Sequence, residues 1–333
     1  MSINKKLLNK TASATVENTF NVKLYTGNRP SNVTVNTFGF SPDLVAIKDR
    51  DNADHWTVMD TTRGQNLIGF NMTGAQEDFS GGFEWTSGGF IVKNTGQANT
   101  NGANLVAWGW YANGGTTSSN GDGNITSTVQ ANTDAGFSIV KYSGTGSNVQ
   151  VGHGLGAAPT MVIFKNLTDS VNWYVWTTAT GSLARLEGIN TNSAAVTSGL
   201  GTTLGASTID FTNTSDFSSS GKDYIMYCFR DVTGYSKISS YTGTGSALSI
   251  TGLGFQPSFI LLKCLDSTEQ WYIFDSARGA DKFLHPNLNN AEGTDATTRL
   301  TSFDADGFSL GTDGAVNASG DDYMYMAIKI NVS

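Results

Sequence analysis

The pattern in the chain that most resembles a chemical site is W-x3-D-x2-R-G. It occurs twice with identical spacing, as Trp56, Asp60, Arg63 and Gly64 and as Trp271, Asp275, Arg278 and Gly279. An Asp three residues before an Arg could form a carboxylate–guanidinium site for a polar ligand. The structural alternative is that the Asp caps a turn after the tryptophan strand and pairs with the Arg. We favour the structural alternative, because a third copy keeps Trp173 while carrying Thr177 and Thr180 at the polar positions.

The other groups that could do chemistry form no recognisable catalytic or metal-binding pattern. The three histidines lie at unrelated positions and show no metal-ligand spacing. Residues 49–54 (DRDNAD) resemble the start of a calcium loop but lack its glycine. Both cysteines lie in apolar, strand-like runs, where buried reduced thiols are expected. We therefore predict that the chain is not an enzyme, with no catalytic residues, no metal site and no cofactor.

Aromatic side chains are the remaining candidates for a binding surface. Trp108 and Trp110 alternate along one predicted strand, so both project from the same face, and Trp85 lies nearby in a Gly-rich stretch. Such a face could stack sugar rings or pack against another domain. Packing is the interpretation that we favour.

The repeated tryptophans belong to a longer internal repeat. Each of three prolines is followed by a lysine after six residues, a tryptophan after 14 and a glycine after 22. The aligned sets are Pro42, Lys48, Trp56 and Gly64; Pro159, Lys165, Trp173 and Gly181; and Pro257, Lys263, Trp271 and Gly279. Each lysine ends an apolar strand, where we expect a solvated ammonium group, with attraction of an acidic partner as the alternative. The spacing between prolines, 117 and then 98 residues, is that of whole domains.

The segments that must position these residues are β-strands. Runs such as FNVKLY, LVAIK and DYIMYCF are rich in β-branched and aromatic residues, and no window shows a convincing helical stripe. We predict an all-β chain of three tandem homologous β-sandwich, jelly-roll-like domains after a short N-terminal arm. The predicted bounds are 1–19 for the arm and 20–131, 132–230 and 231–333 for the domains, with a Gly/Ser/Asn-rich linker at 112–131. Three repeats also permit a pseudo-threefold arrangement.

Composition narrows the classes of function. The 333 residues include 11% aromatic and only 14% charged residues, which argues against disorder, and no apolar run is long enough to span a bilayer. The net charge of −8 argues against nucleic acid as a partner. Lys5, Lys6 and Lys10 make the first 19 residues basic, and we expect this arm to dock in a groove of an acidic neighbour. The start has no apolar run of the length that a signal peptide needs, so synthesis in the cytoplasm without export is expected.

Several strings resemble the repeats of tail-fibre-like virion structural proteins of tailed bacteriophages, especially marine and cyanobacterial ones. They are LYTGN, GFSPDLVAIKDRDNADHW, MDTTRGQNLIGFN, IFDSARGADKFL and LTSFDADGFSLGTD, and the opening MSINKKLLNKTAS resembles the N-terminal lead of the same family. The resemblance covers residues 1–111 and 137–330. The middle repeat departs from it by lacking the Asp and the Arg after its tryptophan.

This resemblance implies a structural protein on the virion exterior, either a capsid decoration or a tail-fibre-like appendage. The expected partners are major capsid or tail proteins and further copies of the chain in a homo-oligomer. The alternative function is a receptor- or glycan-binding adhesin of the tail, with a glycan depolymerase as its enzymatic extreme. In that alternative, Trp108 and Trp110 would contact a glycan of the host surface. Neither nucleic-acid binding nor membrane insertion is expected.

Overall fold

The computed structural model describes residues 16–212 and 214–331, and in this part of the chain it is an all-β protein. The prediction of the fold class is therefore confirmed. The first repeat contains nine strands: β1 (Phe20–Thr26), β2 (Val33–Val35), β3 (Leu44–Asp49), β4 (Thr57–Asp60), β5 (Asn66–Leu67), β6 (Glu77–Asp78), β7 (Phe83–Thr86), β8 (Gly89–Val92) and β9 (Asn104–Trp110).

The other two repeats are built from similar strands, and each adds one single-turn helix. The next strands are β10 (Ser118–Asn120), β11 (Ser127–Asn132), β12 (Phe137–Ser143), β13 (Val149–Gly152), β14 (Met161–Asn166), β15 (Tyr174–Thr177), β16 (Ala184–Leu186), β17 (Thr202–Leu204) and β18 (Thr208–Phe211), followed by helix α1 (Thr214–Phe217) and β19 (Asp223–Phe229). The last are β20 (Ser236–Thr242), β21 (Leu248–Thr251), β22 (Phe259–Cys264), β23 (Tyr272–Asp275), β24 (Gly279–Leu284), β25 (Gly293–Thr294), β26 (Leu300–Asp304) and β27 (Gly307–Leu310), followed by helix α2 (Gly314–Asn317) and β28 (Asp322–Ile328).

The same order of four antiparallel strands occurs three times. The main sheets contain β1-β9-β3-β4, β12-β19-β14-β15 and β20-β28-β22-β23. The second is extended by β10 and β11 at one edge and by β16 at the other, and the third by β24 and β25. A three-stranded sheet faces each main sheet: β2-β8-β7, β13-β18-β17 and β21-β27-β26. Strands β5 and β6 form a separate pair.

The inner strands of each main sheet are buried on both faces. All six residues of β3 are buried, for example, although they alternate in direction. Leu44 and Ala46 belong to a core shared by the three repeats, whereas Val45 and Ile47 belong to the core of the first sandwich alone. This double burial explains why the strand is a continuous apolar run and not an alternating one. Strands β14 and β22 are buried in the same way.

The shared core is organised about a pseudo-threefold axis. Strand register makes Trp108, Tyr227 and Met326 equivalent, since each pairs with the matching residue of the first strand in its sheet. All three side chains lie in the shared core. The three sandwiches therefore form one body, with the inner faces of the main sheets packed against each other.

The segment predicted as a linker, residues 112–131, is instead part of this body. It contains β10 and β11, and β11 pairs with β12 of the second repeat. The buried Asp43 carboxylate accepts four backbone N–H bonds from residues 112–115 at 2.5–2.8 Å. The prediction of a linker was wrong, because a buried carboxylate requires donors and this Gly-rich stretch supplies them from its backbone.

The outer edge of the first strand is protected in a different way in each of the three main sheets. Val22, Ile139 and Ile238 occupy equivalent positions on these strands. Strand β11 covers Ile139, whereas the N–H of Val22 donates to the side chain of Asn21 and that of Ile238 donates to Asp231. Satisfied edge groups disfavour the addition of further strands at these positions.

Residues 16–19, which the sequence assigned to the arm, also belong to the folded body. The Asn18 N–H donates to the Asn331 carbonyl at 2.7 Å, and the Asn331 amide donates to the Val16 carbonyl at 2.9 Å. The Thr19 hydroxyl donates to the Tyr235 hydroxyl at 2.9 Å. The boundary of the arm is therefore no later than residue 15, and the start of the described chain lies beside its end.

The shared core predicts that the three repeats unfold together. Phe229 lies in this core and stacks on Phe137, with ring centroids 4.9 Å apart. We expect Phe229→Ala to lower the free energy of unfolding of the whole chain by about 3–5 kcal/mol, because it leaves a cavity in the core of all three repeats. Circular dichroism and tryptophan fluorescence should both show one transition, shifted equally.

The control is Leu24→Ala, because Leu24 is 45% exposed on β1. This variant should change the free energy of unfolding by no more than about 0.5 kcal/mol. Two or more separate transitions in the unsubstituted chain would contradict the prediction.

Candidate functional site

The repeated tryptophans join neighbouring repeats through their indole N–H groups. Each indole is buried and donates to backbone carbonyls in a loop of another repeat at 3.1–3.2 Å. The pairs are Trp56 with the carbonyls of His285 and Leu288, Trp173 with those of Gly69 and Met72, and Trp271 with that of Gly188. The first repeat thus donates to the third, the third to the second and the second to the first, which closes a ring.

The loops that accept these indoles are held by asparagines that the sequence analysis missed. The backbone N–H of each tryptophan donates to an Asn side chain of its own repeat at 3.0–3.3 Å, and that Asn lies in the loop that accepts a neighbour's indole. The three residues are Asn71, Asn190 and Asn287. They follow their tryptophans by 15, 17 and 16 residues, so a fixed spacing does not reveal them.

The Asp–Arg pair of the first repeat contacts the second repeat. Asp60 accepts the backbone N–H of Arg63 at 2.9 Å, its Nε–H at 2.5 Å and the hydroxyl of Tyr227 at 2.7 Å. Both charged side chains are fully buried. Burial opposes the charge on Arg63, but the adjacent Asp60 carboxylate raises the pKa of Arg63 above its ordinary value. Burial also raises the pKa of Tyr227 well above its ordinary value, so this hydroxyl stays a donor.

The corresponding pair of the third repeat contacts the first repeat. Asp275 accepts from the backbone N–H and Nε–H of Arg278 at 3.0 and 2.6 Å, and from the indole of Trp108 at 3.1 Å. Arg278 also donates to Glu292 at 3.1 Å. Glu292 accepts two further bonds from Arg50 of the first repeat at 2.7 and 2.9 Å. A continuous network of ion pairs therefore connects the first and third repeats, which are furthest apart in sequence.

The middle repeat lacks the Asp–Arg pair, and the third repeat lacks the side-chain donor that such a pair would need. The Tyr227 hydroxyl donates to Asp60 and the Trp108 indole donates to Asp275. The equivalent residue of the third repeat is Met326. The methionine side chain has no N–H or O–H group to donate, so an Asp in place of Thr177 would lack this third hydrogen-bond partner. The absence of the pair in one repeat is thus matched by the absence of the donor in its neighbour.

These contacts use the polar atoms of the W-x3-D-x2-R-G residues within the protein. The side chains of Asp60, Arg63, Asp275 and Arg278 are inaccessible to solvent. A soluble ligand cannot reach either carboxylate without separating two repeats. Each Asp accepts a backbone N–H of its turn and pairs with its Arg, which is the structural role that the sequence analysis favoured. The contacts with a neighbouring repeat were not predicted.

The predicted aromatic face is also internal. Trp108 is fully buried and Trp110 is 6% exposed, both within the shared core. They are not available to stack a sugar, because the face of β9 that carries them is covered by the other repeats. Trp85 is half-buried: its indole donates to the Gly64 carbonyl at 2.9 Å, and its ring packs edge-to-face on Phe83. Of the two interpretations, packing describes all three residues.

The repeated lysines differ from the expectation of solvated strand ends. Lys48, Lys165 and Lys263 are at most 1% exposed, and their ammonium groups donate to carbonyls of the loop that precedes each tryptophan. Lys165 also reaches the Thr73 carbonyl of the first repeat at 3.1 Å. Burial lowers the pKa of each lysine to about 8. The expectation was wrong because loop carbonyls enclose the ammonium groups and exclude water.

The proposed docking lysines Lys5, Lys6 and Lys10 lie outside the described residues. Within the described ranges, no group of three or more His, Cys, Asp or Glu side chains is placed to hold a metal ion. No helix in those ranges is both long and apolar enough to cross a membrane.

A family model described as "Domain of unknown function (DUF7483)" matches residues 16–330, which is nearly the whole chain. No curated protein matches the chain. The matched span coincides with the folded body and includes all three repeats.

We predict that breaking a buried Asp–Arg pair destabilises the body strongly. Asp60→Asn should lower the free energy of unfolding by about 3–5 kcal/mol, because it removes the carboxylate that pairs with the fully buried Arg63. Chemical denaturation monitored by circular dichroism measures this change. The matched control is Asp169→Asn, which removes the exposed pair with Lys222 and should cost about 0–1 kcal/mol. Equal costs for the two variants would contradict the prediction.

A pH dependence follows from the buried lysines. The pKa of Lys165 is about 8 in the folded chain and ordinarily 10.5, so between these values the unfolded state holds more protons. The contribution of this lysine to stability therefore rises as the pH increases from about 8 to about 10.5. Denaturation midpoints of the unsubstituted chain and of Lys165→Met should diverge over this range, with the unsubstituted chain gaining. A constant difference from pH 7.5 to 10 would show that the lysine does not titrate there.

Proposed function

We propose that this chain, which belongs to the DUF7483 family, is a non-enzymatic structural protein of a bacteriophage exterior, as a capsid decoration or a tail-fibre-like appendage. The observation that carries the proposal is the internal use of the repeated motif. Its Trp, Asp and Arg side chains join the repeats and face no cleft. The motif residues, whose spacing resembled a chemical site, therefore have a structural role.

The build of the body suits exposure on a particle. Backbone donors at the equivalent edge positions of the main sheets are bonded, which limits aggregation through strand addition. The outer faces of the small sheets carry short polar side chains, for example the Ser249 and Ser309 hydroxyls 2.9 Å apart. Dense packing on both faces of the inner strands of each main sheet resists local opening, which is the step that proteolysis requires.

Attachment through the N-terminal arm is supported by the position of the first described residues. Val16 and Asn18 are bonded to Asn331, so both described ends lie at one end of the body. The chain that precedes residue 16 carries Lys5, Lys6 and Lys10. We propose that these lysines contact an acidic groove of a capsid or tail protein, and that further copies of the chain assemble on the same particle.

The alternative function, a glycan-binding adhesin of the tail, loses the residues that first suggested it. Trp108 and Trp110 are buried, so a glycan would have to bind elsewhere on the body. No described arrangement of side chains favours the depolymerase version of this alternative.

Removal of the arm tests the proposed attachment. A chain lacking residues 1–15 should retain its unfolding midpoint, since the described body starts at residue 16. It should be lost from particles of the phage that encodes it, as measured by quantitative mass spectrometry of purified virions. The triple variant Lys5→Gln, Lys6→Gln, Lys10→Gln should lower its copy number.

The matched control replaces three lysines on the body, Lys93, Lys222 and Lys282, with glutamine. These side chains are partly exposed and form surface ion pairs. This control should be incorporated normally. Normal incorporation of the chain without residues 1–15, or absence of the complete chain from particles, would refute the proposed attachment.

A further inference from the structure

A cleft of about 280 Å³ lies where three segments meet at the end of the body that contains Val16. These segments are the residues 16–19 that lead into β1, Tyr111 just after β9, and the turn between β11 and β12. The volume is slightly below the range of about 300–1,000 Å³ that is typical of small-molecule sites. The cleft is distinct from the buried motif residues, none of which lines it.

Tyr111 lines the cleft, and its ring packs against the first repeat. Tyr111 packs edge-to-face on Phe40 with centroids 6.3 Å apart, and Phe40 packs on the fully buried Phe38 at 5.9 Å. The backbone N–H of Tyr111 donates to the Thr19 carbonyl at 2.8 Å. The ring is therefore fixed before any ligand arrives, and a fixed platform avoids the entropy cost of ordering on binding.

Polar residues of the turn between β11 and β12 also line the cleft. Asn132 and Asp134 line the cleft, and the Asn132 side-chain oxygen accepts the N–H of Ala135 at 3.0 Å, which leaves its amide N–H groups as donors. The Asp134 carboxylate has no hydrogen bond or ion pair with any described residue. Arg230 anchors this turn by donating to the carbonyls of Thr133 and Gly136. Donor and acceptor groups thus line the same cleft as Tyr111.

We propose that this cleft binds an uncharged saccharide. A sugar ring has an apolar C–H face that can pack on the Tyr111 ring, while its hydroxyl pairs can donate to a carboxylate and accept from an amide. The carboxylate of Asp134 lines the cleft, and the described lining contains no lysine or arginine. This charge disfavours anionic ligands such as sialic acids and sugar phosphates.

The cleft is not a by-product of the repeat. The residues equivalent to Tyr111 are Arg230 and Lys329, whose backbone N–H groups make the same bond to the residue before the first strand. Only the first repeat places an aromatic ring at this position. The structure therefore assigns one saccharide site to each chain, whereas the structural motif is repeated.

The proposal is independent of where the chain is attached, and it is tested on the complete purified chain. Saturation-transfer NMR would be recorded with methyl glycosides of glucose, galactose, mannose, rhamnose, N-acetylglucosamine and N-acetylgalactosamine. Sialic acid and glucose 6-phosphate serve as anionic probes. We expect at least one uncharged glycoside to bind and the anionic probes not to bind.

Variants locate the binding. Tyr111→Ala should remove the stacking face and Asp134→Asn the charged acceptor, so each should weaken binding by at least about tenfold. Tyr111→Phe keeps the ring and should stay within about threefold of the unsubstituted chain. The matched control Asp122→Asn changes an exposed turn carboxylate away from the cleft and should have no effect. Thermal melting confirms that each variant is folded.

Several results would overturn the proposal. They are the absence of binding by every uncharged glycoside, binding that Tyr111→Ala leaves unchanged, and preferential binding of the anionic probes. Binding that appears only after residues 1–15 are removed would assign the cleft to that segment of the chain. None of these results bears on incorporation into particles, so the two proposals can fail separately.

Discussion

The rest of the structure depends on the indole N–H bonds that pass between repeats in a ring. A buried indole donor needs an acceptor, and each repeat meets this need with loop carbonyls of a neighbour. Donor and acceptor lie on different surfaces of a repeat, so the contact is heterologous and must either close or continue indefinitely. It closes after three repeats, which gives the chain one shared core and fixes the positions of its main sheets.

Burial of charge follows from this closure. Once the inner faces of the main sheets meet, the Asp–Arg pairs lie where water cannot reach them, and each must be satisfied by groups of an adjacent repeat. Tyr227 and Trp108 provide these groups, and the repeat whose neighbour offers Met326 carries threonines instead. The lysines before the tryptophans are subject to the same constraint and bind loop carbonyls. Residues whose spacing in the sequence resembles a chemical site therefore connect the repeats inside the folded body.

The residues proposed to contact other molecules therefore lie outside the buried motif, on the surface of the body or before it in the sequence. The proposed attachment uses residues that precede the described body in the sequence, and the proposed saccharide cleft is lined by residues 16–19 together with Tyr111, Asn132 and Asp134. Both sites are made from parts in which the repeats differ. This is consistent with a division of roles, in which repeated residues maintain the fold while unrepeated residues make contacts outside it.

Local patterns in the sequence determined the strands, the all-β class and the buried state of the repeated tryptophans, because these depend on residue type and short-range alternation. The structure alone decided what those residues contact. Tyr227 lies 167 positions from Asp60, and Trp108 lies 167 positions from Asp275. No spacing rule reaches that far. The strands of residues 112–131 and the enclosed lysines were likewise beyond prediction, since each depends on donors and acceptors that meet only when three distant sheets close around one core.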